Sequence, residues 1–473
     1  MRYLQAFRFE LDPNNQARSA LASHAGAARF AFNWGLALII DRLEARRVLE
    51  ALAVRQGAGL AEAGVWAAER AGPVPWSLPA LRREWNQAKD QVAPWWAANS
   101  KEAYNAGLDA LARALKSFFG ACAGKRKGGG RVGWPKFKKR GGRRSFRVTT
   151  GSFGVIDGRH VRLPKIGVIR TKEPTGKLSG RHAAGTARIL SASVSERVGR
   201  WYVSFTCEAD RPEAGVPAGQ PVGVDAGVKY LAVLSTGEKV PNPRHLRRWQ
   251  RRQARLQAEL ARRQGPARGK PPSRRWKATR ARLGKTHAKV AQARSDSLHK
   301  LTTRLARAHA VVVIEDLNVA GMTAKGAGRA KRAKAGLNRA ILDAAPGQLR
   351  RQLAYKTRWS GSALIVADRW YPSSKTCSAC GAVKTKLLLA QRTYHCGHCG
   401  LVIDRDYNAS INLAALAART GTASGAGTGQ SDLVIGRGED KSMPPGRWSS
   451  QNRQDSTAPA GQTATAAEQS TAA

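Results

Sequence analysis

The spacing of hydrophobic residues changes its period along the first third of the chain. Residues 3–11 alternate apolar with polar side chains, which is typical of a short strand. From about residue 16 to residue 46 the apolar positions recur every three or four residues, so one long helix is predicted. Further helices are predicted at residues 78–89 and 101–119, whereas the glycines and prolines of residues 57–75 indicate a loop or an irregular insertion.

A pattern of short alternating segments begins near residue 145. Segments at residues 151–160, 161–169, 187–196 and 200–207 are separated by glycine or charged turns, as antiparallel strands are. These segments predict a small β-barrel or sheet. We expect the N-terminal strand to join it, which would make the helical residues between them an insertion.

The second half of the chain has the pattern of an α/β domain. One apolar strand ends at Asp225 and another ends at Glu315. A helix is predicted at residues 340–359 and a buried strand at residues 363–367. The last 55 residues are rich in Ala, Gly, Thr and Ser, so disorder is predicted for residues 419–473.

Net charge indicates the class of partner. The chain of 473 residues carries 81 Lys and Arg against 32 Asp and Glu, a formal charge of +49. Such a chain repels itself unless a polyanion neutralises it, so nucleic acid is the expected partner. A ribosomal-type or merely basic protein is the alternative, and the acidic motifs described below argue against it.

The sequence also predicts where the protein works. Charged residues interrupt the apolar residues at the N-terminus. No run in the chain approaches the ~18 apolar residues that a membrane helix needs. We therefore predict no signal peptide and no membrane partner. Six cysteines, four of them in one motif, fit a reducing cytoplasm.

Two segments concentrate the positive charge. Residues 124–147 hold eleven Lys and Arg, no acid and three interleaved aromatic rings, and residues 244–307 hold 21 Lys and Arg in a predicted helical hairpin. Charged glycine-rich runs are commonly solvated loops, but interleaved aromatics favour a surface that follows a nucleic-acid backbone and stacks bases. The candidate contacts in the first segment are Lys125, Arg126, Lys127, Arg131, Trp134, Lys136, Phe137, Lys138, Lys139 and Arg140.

One further candidate contact lies outside the basic segments. Asn105 is next to Tyr104 on the helix predicted at residues 101–119, one position off its apolar stripe. A carboxamide can read adenine in the major groove, so Asn105 is a candidate for reading a short duplex motif. An ordinary solvent-exposed asparagine is the alternative.

Four cysteines form two Cys-x-x-Cys pairs near the C-terminal end. Cys377 and Cys380 are separated from Cys396 and Cys399 by 15 residues, which is the spacing of a zinc ribbon. Four thiolates complete a tetrahedral shell with no open position. We therefore predict one structural Zn²⁺ with no catalytic role.

Three carboxylates are candidates for catalysis. Asp225 and Glu315 end apolar strands, and Asp406 opens a helix after the second cysteine pair. Ion pairs with the abundant Lys and Arg could stabilise them. Three carboxylates converging from separate elements favour hard divalent cations instead, and two Mg²⁺ ions suit phosphodiester cleavage. Asp404 competes with Asp406, which we prefer because Asn408 follows and the helix begins there.

Four motifs in order carry a resemblance to a known family. They are Gly-Val-Asp225-Ala-Gly, Val-Ile-Glu315-Asp-Leu-Asn, Tyr-Pro-Ser-Ser-Lys-Thr-Cys377 and Asp-Arg-Asp406-Tyr-Asn-Ala-Ser-Ile-Asn. Together they resemble the TnpB family of insertion-sequence proteins, also called OrfB-type transposases, over nearly the whole chain up to about residue 418. Ser410, where the family usually has alanine, is one departure, and it removes no acid.

The resemblance implies an α+β multidomain fold and an activity. It implies a β-barrel with a helical insertion, then an RNase H-like (RuvC) α/β nuclease domain with an inserted zinc ribbon. Family members resemble type V CRISPR effectors and cleave double-stranded DNA with a guide RNA derived from the transposon end. By this resemblance Asp225, Glu315 and Asp406 would be the catalytic triad of a prokaryotic, nucleoid-associated enzyme. The implied bounds are 1–13 and 145–211 for a wedge-type barrel domain, 14–144 for a helical recognition insertion ending in the basic loop, 212–376 and 400–418 for the nuclease, 377–399 for the ribbon and 419–473 for the tail.

Two other functions stay open at this point. A non-catalytic DNA- or RNA-binding regulator of transposition would need the basic surfaces but not the complete set of acids. A transposase that acts without guide RNA would share the same metal site, and the sequence does not separate it from a guided endonuclease.

Overall fold

The structure, a computed structural model, has two main hydrophobic cores. The first joins the N-terminal strands and helices, and the second lies under the sheet of the C-terminal half. A separate small cluster surrounds the cysteine pairs. The described residues are 2–125, 132–212, 214–267, 269–326, 331–388, 390–419 and 433–435.

A block of helices follows the first strand. Asn14 caps the longest helix by accepting a hydrogen bond from the N–H of Ala17 at 2.8 Å. The predicted long helix is therefore confirmed, and it continues nine residues beyond residue 46. The elements are β1 (Arg2–Glu10), α1 (Asn15–Arg55), α2 (Leu60–Ala71), α3 (Leu78–Val92), the 3₁₀ turn Trp96–Ala98 and α4 (Lys101–Cys122).

Helix α2 shows that one prediction was wrong. It occupies most of residues 57–75, which the glycines and prolines indicated as a loop. Its buried positions are only Ala63 and Ala67, so its apolar stripe is too weak to stand out in the sequence. Gly59 and Gly72 bound the helix rather than break it.

Helices α1 and α4 pack closely around one glycine. A Cβ atom added at Gly107 would lie 2.2 Å from the carbonyl oxygen of Ala28 and 3.1 Å from the Ala31 Cβ. Real Cβ atoms do not approach an oxygen so closely, so the two helix backbones could not keep this separation with any side chain at position 107. Gly107 therefore sets the distance between the two helices.

We expect Gly107→Ala to lower the free energy of unfolding by about 1–3 kcal/mol, because the helices must separate to admit the methyl group. Gly120→Ala is the matched control on the same helix, since nothing lies within 4 Å of its added Cβ. That change should be neutral or stabilise by up to about 1 kcal/mol. Urea unfolding of both variants measures the difference, and equal stabilities would contradict the close packing.

The strands of the N-terminal half form two antiparallel sheets. Strand β1 pairs with β7 from Arg2 opposite Asp210 to Glu10 opposite Tyr202, which confirms that the N-terminal strand joins the later strands. The sheet orders are β1-β7-β6-β2 and β3-β4-β5. The elements are β2 (Ser145–Val148), β3 (Gly154–Val155), β4 (His160–Leu163), β5 (Gly167–Arg170), α5 (Gly176–Ala183), β6 (Ala187–Arg197) and β7 (Arg200–Asp210).

A closed barrel is not confirmed. Among the described residues, the two sheets are joined by a single isolated bridge between Leu11 and Thr171. Backbone turns with positive φ at Gly151, Lys165 and Gly167 divide the expected long strands into short ones. Helix α5 was not predicted, because only Leu178 of its side chains is buried.

The C-terminal half is built on a mixed sheet of order β10-β9-β8-β11-β12-β15. Strands β8, β11, β12 and β15 run parallel, and β9 and β10 continue antiparallel from β8. The elements are β8 (Val222–Asp225), β9 (Tyr230–Leu234), β10 (Lys239–Pro241), α6 (His245–Ala261), α7 (Arg274–Ala308), β11 (Val311–Glu315), α8 (Val319–Met322), α9 (Lys331–Ala344), α10 (Pro346–Trp359), β12 (Ala363–Ala367), β13 (Thr393–His395), β14 (Val402–Asp404), α11 (Arg405–Arg419) and β15 (Leu433–Ile435).

Helices cover both faces of this sheet. Leu298 and Leu305 of α7 and Leu353 of α10 pack on one face. Leu413 and Leu416 of α11 pack on the other. Because both faces are covered, the parallel strands are continuous apolar runs rather than alternating ones.

The predicted disorder of residues 419–473 falls mostly outside the described residues. Within that range the structure describes Arg419, which ends α11, and β15, where three residues form a strand beside β12 instead. In the described part of the chain, no helix combines the length and apolar character that crossing a membrane requires.

Candidate active site and metal centre

The register of the parallel strands brings two acids to one edge of the sheet. Strand β11 pairs with β8 so that Ile314 lies opposite Val224. The next residues along each strand are Glu315 and Asp225, the last of each. Ligands of open α/β sheets bind outside the carboxyl ends of the strands, which is where these two carboxylates stand.

Helix α11 carries the third acid and lies directly against β8. A Cβ atom at Gly223 would lie 1.9 Å from the carbonyl oxygen of Ser410 and 2.5 Å from the backbone nitrogen of Ala414. Only glycine permits this approach, so position 223 fixes the distance between the strand of Asp225 and the helix of Asp406. Ser410 is fully buried, and its hydroxyl donates to the carbonyl of Tyr407 at 2.7 Å.

The electrostatics of Asp225 show that the three acids are neighbours. Burial raises the pKa of Asp225 well above its usual range, and the carboxylates of Glu315 and Asp406 raise it further. The charge of Arg405 acts in the opposite direction, but less than these three effects. A cation bound between these groups would remove both the desolvation cost and the repulsion.

Asp404 and Asp406 have different roles. Asp404 accepts hydrogen bonds from the N–H groups of Asp406 at 3.0 Å and Tyr407 at 3.1 Å, which makes it the N-cap of α11. It also pairs with Lys239 at 2.9 Å. Although burial opposes them, these contacts lower the pKa of Asp404. Asp406 is left in the first turn of α11, facing Asp225.

The ion-pair explanation does not account for the three acids. Among the described residues, the neighbouring acids Asp316 and Asp404 form ion pairs, whereas Asp225, Glu315 and Asp406 form none. The oxygens of these three do not all lie within 4.8 Å of one another, as the ligand atoms of a compact single-ion site would. Carboxylate oxygens are nevertheless the donors that Mg²⁺ prefers.

Ser373 is a site residue that the sequence reasoning missed. Its hydroxyl, 3% exposed, donates to Glu315 Oε1. Its carbonyl accepts from Asn412 Nδ2 at 2.8 Å, and the same amide donates to the carbonyl of Thr376 at 2.7 Å. The motif that contains Ser373 is predicted only through the family resemblance, and no local pattern in the sequence relates this serine to Glu315.

We expect Ser373→Ala to slow DNA cleavage by about tenfold. The variant loses the hydroxyl that orients Glu315, the predicted metal-binding carboxylate, while the carboxylate itself stays. The affinity for nucleic acid should not change. Ser374→Ala is the matched control, since its hydroxyl is one residue away from the bond to Glu315. Single-turnover cleavage rates at saturating Mg²⁺ provide the measurement, and equal rates for the two variants would contradict the role of Ser373.

The four cysteines fit a tetrahedral metal. Their sulfur atoms all lie within 4.8 Å of one another, and the Cys377–Cys399 and Cys380–Cys396 pairs are each 3.6 Å apart. A disulfide would place the sulfurs near 2.05 Å. A regular tetrahedron with Zn–S bonds of about 2.3 Å places them about 3.8 Å apart. The cluster is therefore compatible with the predicted zinc ribbon.

Electrostatics favour a thiolate at one cysteine of this cluster. At Cys380 and Cys399, hydrogen bonds from the N–H groups of Ala382 and Leu401 lower the pKa, but burial and the cysteine neighbours raise it more. The N–H groups of Cys399 and His398 lower the pKa of Cys396 to about 6. The first cysteine knuckle is tied to α11, since Asn408 accepts from the N–H of Ser378 at 3.0 Å and donates to the carbonyl of Thr376 at 2.7 Å. The cysteine cluster thus supports the helix that carries Asp406.

The described residues after 131 in the basic segment contact α1 and α4. The N–H of Lys138 donates to Asn33 Oδ1 at 2.8 Å, and Asn33 Nδ2 donates back to the Lys138 carbonyl at 3.0 Å. The Lys138 ammonium sits 3.8 Å from the centre of the Phe32 ring. Burial and the charge of Arg113 lower its pKa to about 8.

The other predicted contacts of this segment have different environments. Trp134 packs edge-to-face against Phe118 at 5.2 Å and Trp76 at 6.4 Å, so its ring belongs to an aromatic cluster. Phe137 is 52% exposed. Arg126, Lys127 and Arg131 lie outside the described residues. The exposed cations among the described contacts are Lys125, Lys136, Lys138, Lys139 and Arg140.

Asn105 is engaged within its own helix. Its Nδ2 donates to Glu102 Oε1 at 3.3 Å. The other oxygen of Glu102 accepts from the N–H and the hydroxyl of Thr149, at 2.7 and 2.6 Å. The half-buried Asn105 amide therefore supports a contact between α4 and the chain after β2, and its reading of a base remains a prediction.

Helices α6 and α7 form the predicted basic hairpin. Hydrogen bonds between His245 and Ser297, at 2.9 Å, and between Gln253 and His287, at 3.2 Å, show that the helices are antiparallel. Their shared interior includes Leu256 and Val290. Most of the described Lys and Arg side chains of the hairpin are exposed.

Three family models match parts of the chain. One described as "Probable transposase" (OrfB, IS605) matches residues 204–325, and one described as "Cas12f1-like, TNB domain" matches residues 347–413. These two ranges contain all three acids and all four cysteines. A third, described as a helix-turn-helix domain, matches residues 1–47, where the structure has one strand and part of one continuous helix.

Several proteins of similar sequence are named "Putative RNA-guided DNA endonuclease". The relative in Mycobacterium tuberculosis strain H37Rv is 38% identical over 432 residues, covering 87% of this chain and 86% of the relative. The relative in Escherichia coli K12 is 32% identical, covering 88% and 92%. Among solved structures, a cryo-EM Cas12f1–sgRNA–target DNA complex covers 87% of this chain and 99% of that one, at 12% identity and a TM-score of 0.44.

Proposed function

This chain belongs to the OrfB (IS605) transposase family, and on that premise we propose that it is an RNA-guided, Mg²⁺-dependent DNA endonuclease with a RuvC-like site. The observation that carries the proposal is the convergence of Asp225, Glu315 and Asp406 at the carboxyl edge of the mixed sheet. The printed names of the relatives support the same activity.

The three acids are suited to holding metal, and the rest of the chain to holding substrate. Mg²⁺ ions bound by Asp225, Glu315 and Asp406 would stabilise the attacking and leaving oxygens of an in-line phosphodiester displacement. Ser373 orients Glu315 through its hydroxyl, and Gly223 holds the helix of Asp406 against the strand of Asp225. The catalytic edge is thereby preorganised before substrate binds.

Separate basic surfaces support a guide RNA. The segment along α1 and α4 and the hairpin of α6 and α7 each expose several cations, which is more than one short DNA duplex requires. A protein that holds an A-form heteroduplex by its backbone can leave the reading of sequence to base pairing. We propose that the RNA derives from the transposon end, as the family resemblance implies.

Sequencing the RNA that co-purifies with the full-length protein tests this function. We expect one dominant species that ends in a variable segment complementary to a cleaved target. Binding should weaken steeply with salt, because each neutralised phosphate releases counterions. A mixture of unrelated cellular RNAs, with no species enriched, would favour the non-catalytic regulator or the unguided transposase.

A further inference from the structure

The turn after β12 presents an aromatic ring to solvent beside the acids. Trp370 is 84% exposed, more than any other large hydrophobic side chain of the described residues. Burying a tryptophan ring releases more free energy than leaving it in water, and most tryptophans are well buried. Because β12 is the parallel neighbour of β11, this turn leaves the sheet at the same edge as Glu315.

Contacts on both sides hold this turn against the catalytic edge. Arg369 Nη2 lies 2.7 Å from Asp316, the residue next to Glu315. On the other side, Ser373 donates to Glu315 itself. Three residues of chain span about 11 Å at most, so Trp370 cannot lie far from Glu315.

The turn also has a defined conformation. The N–H of Trp370 donates to Asp368 Oδ1 at 2.8 Å, and the N–H of Tyr371 donates to the Asp368 carbonyl at 3.1 Å. The exposed ring is therefore carried on an ordered backbone, which limits the conformational entropy that binding would cost.

The charges around the ring indicate what it could bind. Asp316 already pairs with Arg350 and Arg369, and Asp368 adds a negative charge. The turn therefore has few free cations with which to attract a phosphate backbone. Asp368 and Arg369, which precede the ring in the turn, are charged, and charged neighbours disfavour an apolar protein-docking face. What the turn does offer is a large, open π-face.

We propose that Trp370 is a platform on which an unpaired base stacks as its DNA strand enters the carboxylate site. This proposal rests on the proposed nuclease function. Bases within a duplex are already stacked on each other, so the platform selects single-stranded DNA. Every base has a π-face, so the contact favours a single strand without favouring a sequence.

Fluorescence of 2-aminopurine in a single-stranded oligonucleotide tests the platform. The full-length, RNA-loaded protein would carry Asp225→Asn, so that the strand is held but not cut. With Trp370 present, we expect quenching of the probe. Trp370→Phe should retain most quenching and affinity, whereas Trp370→Ala and Trp370→Leu should lose the quenching and about ten- to a hundredfold in affinity.

A substrate change provides the second arm. In the protein with Asp225 intact, an abasic site at the stacked nucleotide should slow cleavage by the same factor as Trp370→Ala. Combining the two changes should cost little more than either alone. Equal quenching in all variants, or a Trp370→Leu variant that behaves like Trp370→Phe, would overturn the stacking platform. A protein that never cleaves would refute the proposed function instead, while the quenching arm would still report on Trp370.

Discussion

Asp225→Ala is expected to reduce DNA cleavage by about a thousandfold or more, with nearly unchanged affinity for RNA and DNA. The acid and the nucleic-acid surfaces are separate: Asp225 ends a strand of the mixed sheet, whereas the positive charge lies on the basic segment and the α6–α7 hairpin. Removing one acid also relieves the repulsion within the acidic cluster, so the folded protein should not lose stability.

The acids should behave as one unit. The double variant Asp225→Ala/Glu315→Ala should cleave barely more slowly than either single variant, because either loss already disables the metal site. Asp41→Ala, on the exposed side of α1, is the matched control and should cleave like the wild type. A near wild-type rate for Asp225→Ala would contradict the assignment.

The roles of Asp404 and Asp406 can be separated by the same assay. Asp404→Asn keeps an N-cap for α11 and loses the ion pair with Lys239, so it should cost about 1 kcal/mol of stability or less and retain cleavage. Asp406→Asn should retain stability and lose cleavage. The opposite outcome would transfer the catalytic role to Asp404.

Cys396→Ser is expected to remove the metal and to unfold the cysteine cluster. Elemental analysis should find about one zinc per chain in the wild type and close to none in the variant, since a closed Cys₄ shell rarely survives the loss of a thiolate. Cleavage should fall as a consequence, because Asn408 links the first cysteine knuckle to the helix of Asp406.

Cys122→Ser is the matched control for the zinc experiment. Cys122 is exposed at the end of α4, outside the cysteine cluster. Its replacement should leave zinc content, thermal stability and cleavage unchanged. A zinc-free Cys396→Ser protein with wild-type stability and activity would show that the ribbon is not structural.

Several features of the site follow from the sequence because they depend on local pattern. The sequence predicts apolar strands that end in Asp225 and Glu315, and the structure has both strands. The cysteine spacing likewise predicts a cluster, and the sulfur positions fit it. In each case the candidate residues lie within or next to the sequence pattern that predicts them.

Features that depend on distant contacts could not be predicted in this way. The need for glycine at position 223 comes from Ser410, almost two hundred residues later in the chain. The bond from Ser373 to Glu315 likewise joins the segment after β12 to the end of β11, two parts of the chain that the sequence does not relate. The sequence predicts that the Trp134 ring is free to stack on bases, but in the structure the ring packs against Trp76.

Site-specific cleavage with and without RNA tests the central claim most directly. The protein would be purified through high salt with RNase treatment, then given Mg²⁺ and a matched double-stranded target. Without RNA we expect no site-specific product, and adding back the transposon-end RNA should restore a cut at the position its guide segment specifies. Cutting at a defined site by the RNA-free protein would contradict RNA guidance and support a transposase that acts alone.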